Sequence, residues 1–313
     1  MPVWLAIVLF AGGVAIAIWA TEVLLQGLVG IALALRISAF AVGAVLSGLE
    51  AENVAVGLSA GHAEAAPVAL GTVFGGATFL VCAALGLGAL VAPLEVRLPR
   101  GFLLCFAASP LLAGLALVAP VTPRWSGAVL LLCFGAAMTY LVAASRHRTY
   151  IESDEVEEAR EKRRPLGFAI ALTVLGIVAI GVGGELVANG AVGIIAGLGV
   201  PALVMGMVVT PAAIEVDELF RQAIPAREGR PDVSAGNLVG TLLYFTLFNL
   251  GLIALITPVR VDPQVVRLDW PFLVGATWLA TLFLARGRVG RLAGALLLAA
   301  YALYVVLHLL AVA

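Results

Sequence analysis

The chain has 313 residues, 62% of them hydrophobic and 12% charged, with 18 Lys+Arg against 19 Asp+Glu. A soluble domain usually carries about 25% charged residues, so this composition excludes a single soluble domain and, more firmly, a disordered chain. A net charge of −1 leaves no footprint for nucleic acid, and the bilayer is the solvent that must explain the sequence.

Taken in chain order, apolar runs long enough to span lipid predict ten helices, at about 3–35, 38–60, 67–91, 101–119, 125–144, 166–198, 201–223, 235–257, 270–285 and 291–312. The first basic residue is Arg36, so no basic segment precedes the first run, which reads as a true span and not a cleaved signal. Prolines 67, 93, 99, 120, 123, 165, 201, 225, 231, 258 and 271 mark the expected breaks. Cys82, Cys105 and Cys133 lie inside apolar runs without CxxC spacing, which reads as packing and not as a disulfide or zinc framework. The one long polar segment, 145–165, mixes six bases with six acids and reads as a cytoplasmic connector between halves 1–144 and 166–313. With ten spans, 15 basic residues fall on one side of the membrane, while Arg124, Arg260 and Arg267 fall on the other. Basic residues are retained on the cytoplasmic side, so both termini are expected outside an inner membrane.

The chain also repeats itself. Residues 71–93 align with 236–258 at an offset of 165, with eight identities that include Gly71/Gly236, Gly75/Gly240 and Pro93/Pro258. The same register sets Glu50 on Glu215, Glu52 on Asp217 and Asn53 on Glu218. After a two-residue slip, TEVLLQG matches GELVANG, setting Glu22 on Glu185. Five helices per half make such a repeat inverted, the architecture of secondary transporters with a site near the midplane. The expected fold is therefore all-α, with ten transmembrane helices in two inverted five-helix repeats.

Charges inside a bilayer cost about 2.5–3.5 kcal/mol each on insertion scales. Seven acids fall in predicted spans: Glu22, Glu50, Glu52, Glu185, Glu215, Asp217 and Glu218. No Lys or Arg is expected deep in a span to neutralise them, so the compensating charge is expected from bound cations or protons. Glu50 and Asn53, like Glu215 and Glu218, are three apart and share a helix face. Pro211 should disturb the seventh helix just before its acids, and Gly48 could loosen the second. A broken helix exposes carbonyls, which with carboxylates make a site for a hard cation. Glu50, Asn53, Glu215 and Glu218 are the candidate ion ligands. Glu52 and Asp217 point about 200° from Glu50 and Glu215 and become candidate pathway or helix-capping residues. Glu22 and Glu185 sit in glycine-rich surroundings that read as helix packing. The glycines of GTVFGG and GNLVGT, similar to a phosphate loop in composition, sit in apolar spans and read as close helix contacts. His62, His147 and His308 have no metal-ligand partner at suitable spacing.

These residues resemble the cation/calcium exchanger superfamily, which includes sodium/calcium exchangers. Its two repeats each carry a segment like G-T-S-x-P-E-L, followed by G-N-x-x-G-S-N-x-F-N. Glu218 precedes Gly236 by 18 residues and Asn53 precedes Gly71 by 18, the separation common in that group. The resemblance covers about 22–93 and 185–258, and GELVANGAVGIIAGLGV looks like its approach helix. On this resemblance Glu218 falls on the motif glutamate, Asn53 takes that place in the first repeat, and Glu50 and Glu215 fall on a ligating serine. Glu52 and Asp217 fall on the motif proline. Gly76 and Thr241 replace the serine of G-S-N, which makes Thr241 a further pathway candidate. Leu80 and Phe245 replace the final polar motif residue. The resemblance implies an antiporter of inorganic cations, with Ca2+, Na+ or H+ as transported ions, no resident cofactor, and rocking of the first and sixth helices. E-x-x-N and E-x-x-E also resemble, with side chains exchanged, the N-x-x-E of proton-coupled members. The alternative from another class is a channel-like or non-transporting protein on the same scaffold. An enzyme is the weakest reading, because no HExxH, Ser/His/Asp clustering or P-loop is present.

Overall fold

A computed structural model describes residues 1–34, 49–63, 65–145 and 165–311. Among these, eight helices are long and apolar enough to cross a membrane. They are α1 (Val3–Ala34), α3 (Ala66–Val91), α4 (Arg100–Leu117), α5 (Arg124–Ser145), α6 (Leu166–Leu198), α9 (Pro231–Ile256), α10 (Val265–Ala285) and α11 (Arg291–Leu310). The second expected span is represented by α2 (Ala51–His62), and the seventh by α7 (202–214) and α8 (Glu218–Arg227). The first part of the second span with Gly48, and residues 146–164 of the expected connector with His147, lie outside the described residues.

Prolines act as predicted at most helix starts. Pro99, Pro165 and Pro201 stand at N-cap positions, and Pro67 and Pro231 in first turns, where a missing N–H costs nothing. Two expectations need correction. Pro225 lies inside α8 and does not break it. Pro271 does not begin a helix, because α10 already starts at Val265. The seventh span is interrupted beside its acids as expected, where α7 passes into a 3-10 turn at Glu215–Asp217. Wide π turns precede both Pro211 and Pro271, at Met205–Val209 and Val265–Asp269, and a wider turn absorbs the hydrogen bond each proline cannot donate. In α4, Pro110 likewise leaves the Phe106 carbonyl without its usual donor, and the Ser109 hydroxyl donates to it at 3.2 Å.

The centre of the molecule is α3. Every residue from Val68 to Gly86 is buried, as an all-round apolar helix requires. Its middle is a π turn at Phe79–Ala84, and α9 carries another at Tyr244–Asn249. Those two turns begin 165 residues apart, the offset read from the sequence. α3 crosses α7 at backbone contact: a methyl on Gly71 would run into the Gly206 carbonyl, and one on Gly206 into the Pro67 carbonyl. The expectation that these glycines permit close helix contact is therefore met at Gly71, and at Gly75 against Met207 and Pro211.

α1 and α6 run antiparallel on the flank, touching through small residues. Gly176, Gly183 and Gly190 lie against Leu24, Ala17 and Phe10, a seven-residue rhythm that keeps one face toward the partner. The pair meets α2 where Gly184 lies against Ala55. Gly199 ends α6 in the left-handed region, φ 67°, with its N–H on the Ile195 carbonyl. Glu22 and Glu185 are exposed on this pair and face away from the core. On the other flank, α10 and α11 are joined by a fully buried cluster. The Tyr304 hydroxyl donates to Asp269 Oδ1 at 2.6 Å, and His308 Nε2 lies 2.9 Å from the same oxygen. His308 thus has a carboxylate partner that sequence spacing hid, because Asp269 comes from another helix. The loops are riveted at both ends by isolated β-bridges, Leu94 with Val289 and Val121 with Arg260. The three cysteines are free and buried or half-buried, as packing residues should be.

The crossing of α3 and α7 carries a stability prediction. Gly206→Ala should destabilise the protein by about 3 kcal/mol or more, because overpacking here meets backbone and not a movable side chain. Gly275→Ala, where nothing lies within 4 Å of the added methyl, should be neutral or mildly stabilising. Unfolding in detergent with chemical denaturant measures both, and equal effects would count against the crossing.

Candidate functional site

The buried acids gather where helices end. Glu50 is the N-cap residue of α2 and leaves helical geometry at φ −101°, ψ 65°. Glu215 caps the C-terminus of α7 at φ −86°, ψ 12°. Glu52 and Glu218 stand in the first turns of α2 and α8, where the helix dipole favours a carboxylate. The C-terminus of α7 presents carbonyl oxygens, the polarity that favours a cation.

Asn53 connects the groups. Its Nδ2 donates to Glu215 Oε1 at 2.7 Å and to Glu50 Oε2 at 3.4 Å. One carboxamide thus divides its two protons between a carboxylate of α2 and one of α7. Glu50, Asn53, Glu215 and Glu218 are all 2% exposed or less. One oxygen of each has no hydrogen-bond partner: Glu50 Oε1, Asn53 Oδ1, Glu215 Oε2 and Glu218 Oε1. Unpaired buried acceptors are costly, and four in one neighbourhood ask for a positive charge. The arrangement is open: among the described residues, no three acidic, histidine or cysteine side chains converge at metal-ligand spacing.

The pathway candidates divide. Glu52 is buried and accepts from the Thr21 hydroxyl of α1 at 2.6 Å. Asp217 is 28% exposed and lies at the edge of the site. Thr241 is fully buried on α9 with an unpaired hydroxyl, and hydrogen-bonds none of the four candidate ligands.

One expectation is overturned. The acids do have a basic partner: Arg221 Nε lies 3.2 Å from Asp217 Oδ2, and its Nη1 lies 3.7 Å from Glu218 Oε1 and 4.0 Å from Glu50 Oε1. Arg221 lies near the C-terminal end of the seventh predicted span, but its side chain turns back along α8. The signal was present, since Arg221 follows Asp217 by four residues and Glu218 by three.

Three more polar residues went unnoticed in the sequence. Asn237 Nδ2 donates to Glu218 Oε2 at 3.1 Å, Asn249 Nδ2 to the Glu50 carbonyl at 3.4 Å, and Thr21 to Glu52. Asn237 is the second residue of GNLVGT and could have been read from that motif; Asn249 and Thr21 carry no pattern. A separate cavity of about 650 Å³ opens between the ends of α2, α3 and α10, lined by Gly61, Pro67, Arg260 and Asp262 among others, and contains none of the site residues.

With this geometry in view, comparison with known proteins is informative. The solved sodium-calcium exchanger NCX_Mj, soaked with Na+ and Sr2+, superposes with a TM-score of 0.64 at 21% identity, over 97% of this chain and 98% of that one. The inner membrane protein YrbG of Escherichia coli is 28% identical over 234 residues, 72% of each chain. The putative antiporter CaxA of Alkalimonas amylolytica is 30% identical over 118 residues. That match spans 38% of this chain and 37% of CaxA. The family model for sodium/calcium exchanger proteins matches residues 5–143 and 168–310, nearly the whole chain in two segments. The chain is an integral membrane protein and belongs to the sodium/calcium exchanger protein family.

Proposed function

We propose that this protein is a secondary cation antiporter that exchanges a divalent cation such as calcium for sodium ions or protons. Glu50, Glu215 and Glu218 bind the ion, and Asn53 completes the shell. The observation that carries this reading is the set of four buried oxygens without a hydrogen-bond partner, one on each of these residues. Oxygen donors of this kind suit a hard cation. Bound ion would draw α2 and α8 together, closing the open arrangement. Glu52, Asp217 and Thr241 line the route to it.

Ten spans in two inverted halves, 1–144 and 166–313 joined by 145–165, complete the reading. The π turns of α3 and α9, 165 residues apart, support it. So do the two β-bridges, each of which pairs loops that ten spans assign to the same face of the membrane. Both termini then lie outside. Alternating access follows from rocking of α1 and α6 against the other eight helices, and their close small-residue seam lets the two move as one pair.

A non-transporting or channel-like scaffold is the second reading. It is favoured by Leu80 and Phe245, both fully buried where the resemblance would place polar residues. Counterflow separates the two: an antiporter accelerates tracer uptake against a trans-loaded cation, and a channel or scaffold does not.

Two measurements test the site. Glu215→Gln and Glu218→Gln should each reduce cation-driven flux in proteoliposomes by roughly tenfold or more; unchanged flux removes the site assignment. Purified protein should melt at a higher temperature in the presence of transported ions alone, with about 2.7 kcal/mol of stabilisation at one hundred times Kd. A panel of Ca2+, Mg2+, Mn2+, Na+ and K+ identifies them, and Asn53→Ala should shift the half-saturating concentration upward.

A further inference from the structure

Arg221 does not behave as an ordinary helix-surface ion pair. Its contacts with Asp217 and Glu218 are one turn away on its own helix, but the third crosses from α8 to Glu50 at the start of α2. The two oxygens that Nη1 faces, Glu50 Oε1 and Glu218 Oε1, are two of the four without a hydrogen-bond partner. At 4.0 and 3.7 Å Nη1 stands over them beyond hydrogen-bond distance, while Nε lies 3.2 Å from Asp217 Oδ2. Its side chain is 24% exposed and that of Asp217 28%, against 2% for Glu50 and none for Glu218. The arginine therefore reaches from the rim of the site onto its buried oxygens.

We propose that Arg221 is a tethered cation that competes with the transported ion for Glu50 and Glu218, with Asp217 holding it at the rim when the ion is bound. The proposal rests on the ion-binding reading of the site and deepens it. Whatever the protonation of Glu50, Glu215, Asp217 and Glu218, the guanidinium brings one unit of positive charge to their neighbourhood. Arg221 thereby sets how much positive charge the transported ions must supply. An ion entering between Glu50 and Glu218 displaces the guanidinium toward Asp217, and on its departure the guanidinium leans back. Asn53 is neutral and cannot play this part, and Arg227, on the exposed face of the same helix, points elsewhere.

The test is Ca2+-dependent thermal stabilisation of the purified full-length protein, with Arg221→Gln, Arg221→Lys and Arg227→Gln compared with the unaltered chain. Two unit charges this close interact strongly in a buried setting, so Arg221→Gln should lower half-saturating Ca2+ by about tenfold or more. Arg221→Lys, whose compact ammonium lacks the guanidinium fork, should lower it about threefold. Arg227→Gln should leave it unchanged. Equal or weaker Ca2+ binding by Arg221→Gln overturns the proposal. An equal gain from Arg227→Gln also overturns it, since the effect would then be general surface charge. If Arg221→Gln does not fold, the lysine variant decides: no fall in half-saturating Ca2+ overturns the tether. Absence of stabilisation by Ca2+ and by Na+ in every protein overturns the ion site itself, whereas stabilisation of the unaltered chain without a gain in the variants overturns Arg221's role alone.

Discussion

Carboxylates held away from water must be satisfied by something, and in this protein the Asn53 carboxamide does much of that work. It donates one proton to Glu215 and one to Glu50, so residues 162 and three positions away are fixed to a single nitrogen. Three features of the fold exist to bring those groups there. α2 begins at Glu50, α7 stops at Glu215, and α3 lies close enough to α7 for their backbones to touch at Gly71 and Gly206. The same interaction explains why the site remains electrostatically hungry. The amide has two protons to give, four carboxylate oxygens compete for them, and its own Oδ1 is left over.

Much of this was legible in the amino-acid sequence, for reasons that differ from residue to residue. Apolar runs and prolines gave nearly every helix, because lipid enforces length and proline enforces position. The acids stood out because any charge in such a run is improbable, and the offset of 165 pointed to four candidate ligands, each of which carries an unpaired oxygen in the folded chain. What escaped was long-range or rested on a flexible side chain. Arg221 lies near a helix end, where its spacing from Asp217 and Glu218 allows ion pairs along the helix but says nothing of the reach across to Glu50 on α2. His308 and Asp269 are 39 residues apart on different helices, and no periodicity links them. Pro225 and Pro271 were read as breaks because a proline removes a donor, whereas the helices absorbed the loss, at Pro271 by a wide π turn.

Two kinds of contact divide the molecule mechanically. α3, α9 and their neighbours interlock by large side chains and are tied by loop bridges at both ends. α1 and α6 lie on each other along glycines and alanines; at one end Phe10, Val187 and Ile194 join the main core, while Ala20, Leu24 and Ile180 form a small cluster apart from it. Between these two bodies run α2 and α7, the helices that end at the acids. The Thr21 hydroxyl on Glu52 is a direct polar link from the flank to the region of Glu50 and Glu215.

The burial of α3 from Val68 to Gly86 has a consequence for how the chain is made. Its small-residue face is covered by α7 at Gly206, Met207 and Pro211, all synthesised more than a hundred residues later. While the first half stands alone in the membrane, that face can meet only lipid, and Glu50 and Asn53 lack Glu215. Assembly of the site therefore waits on the second half of the chain, which brings both the backbone that covers the Gly71 face and the carboxylate that Asn53 meets.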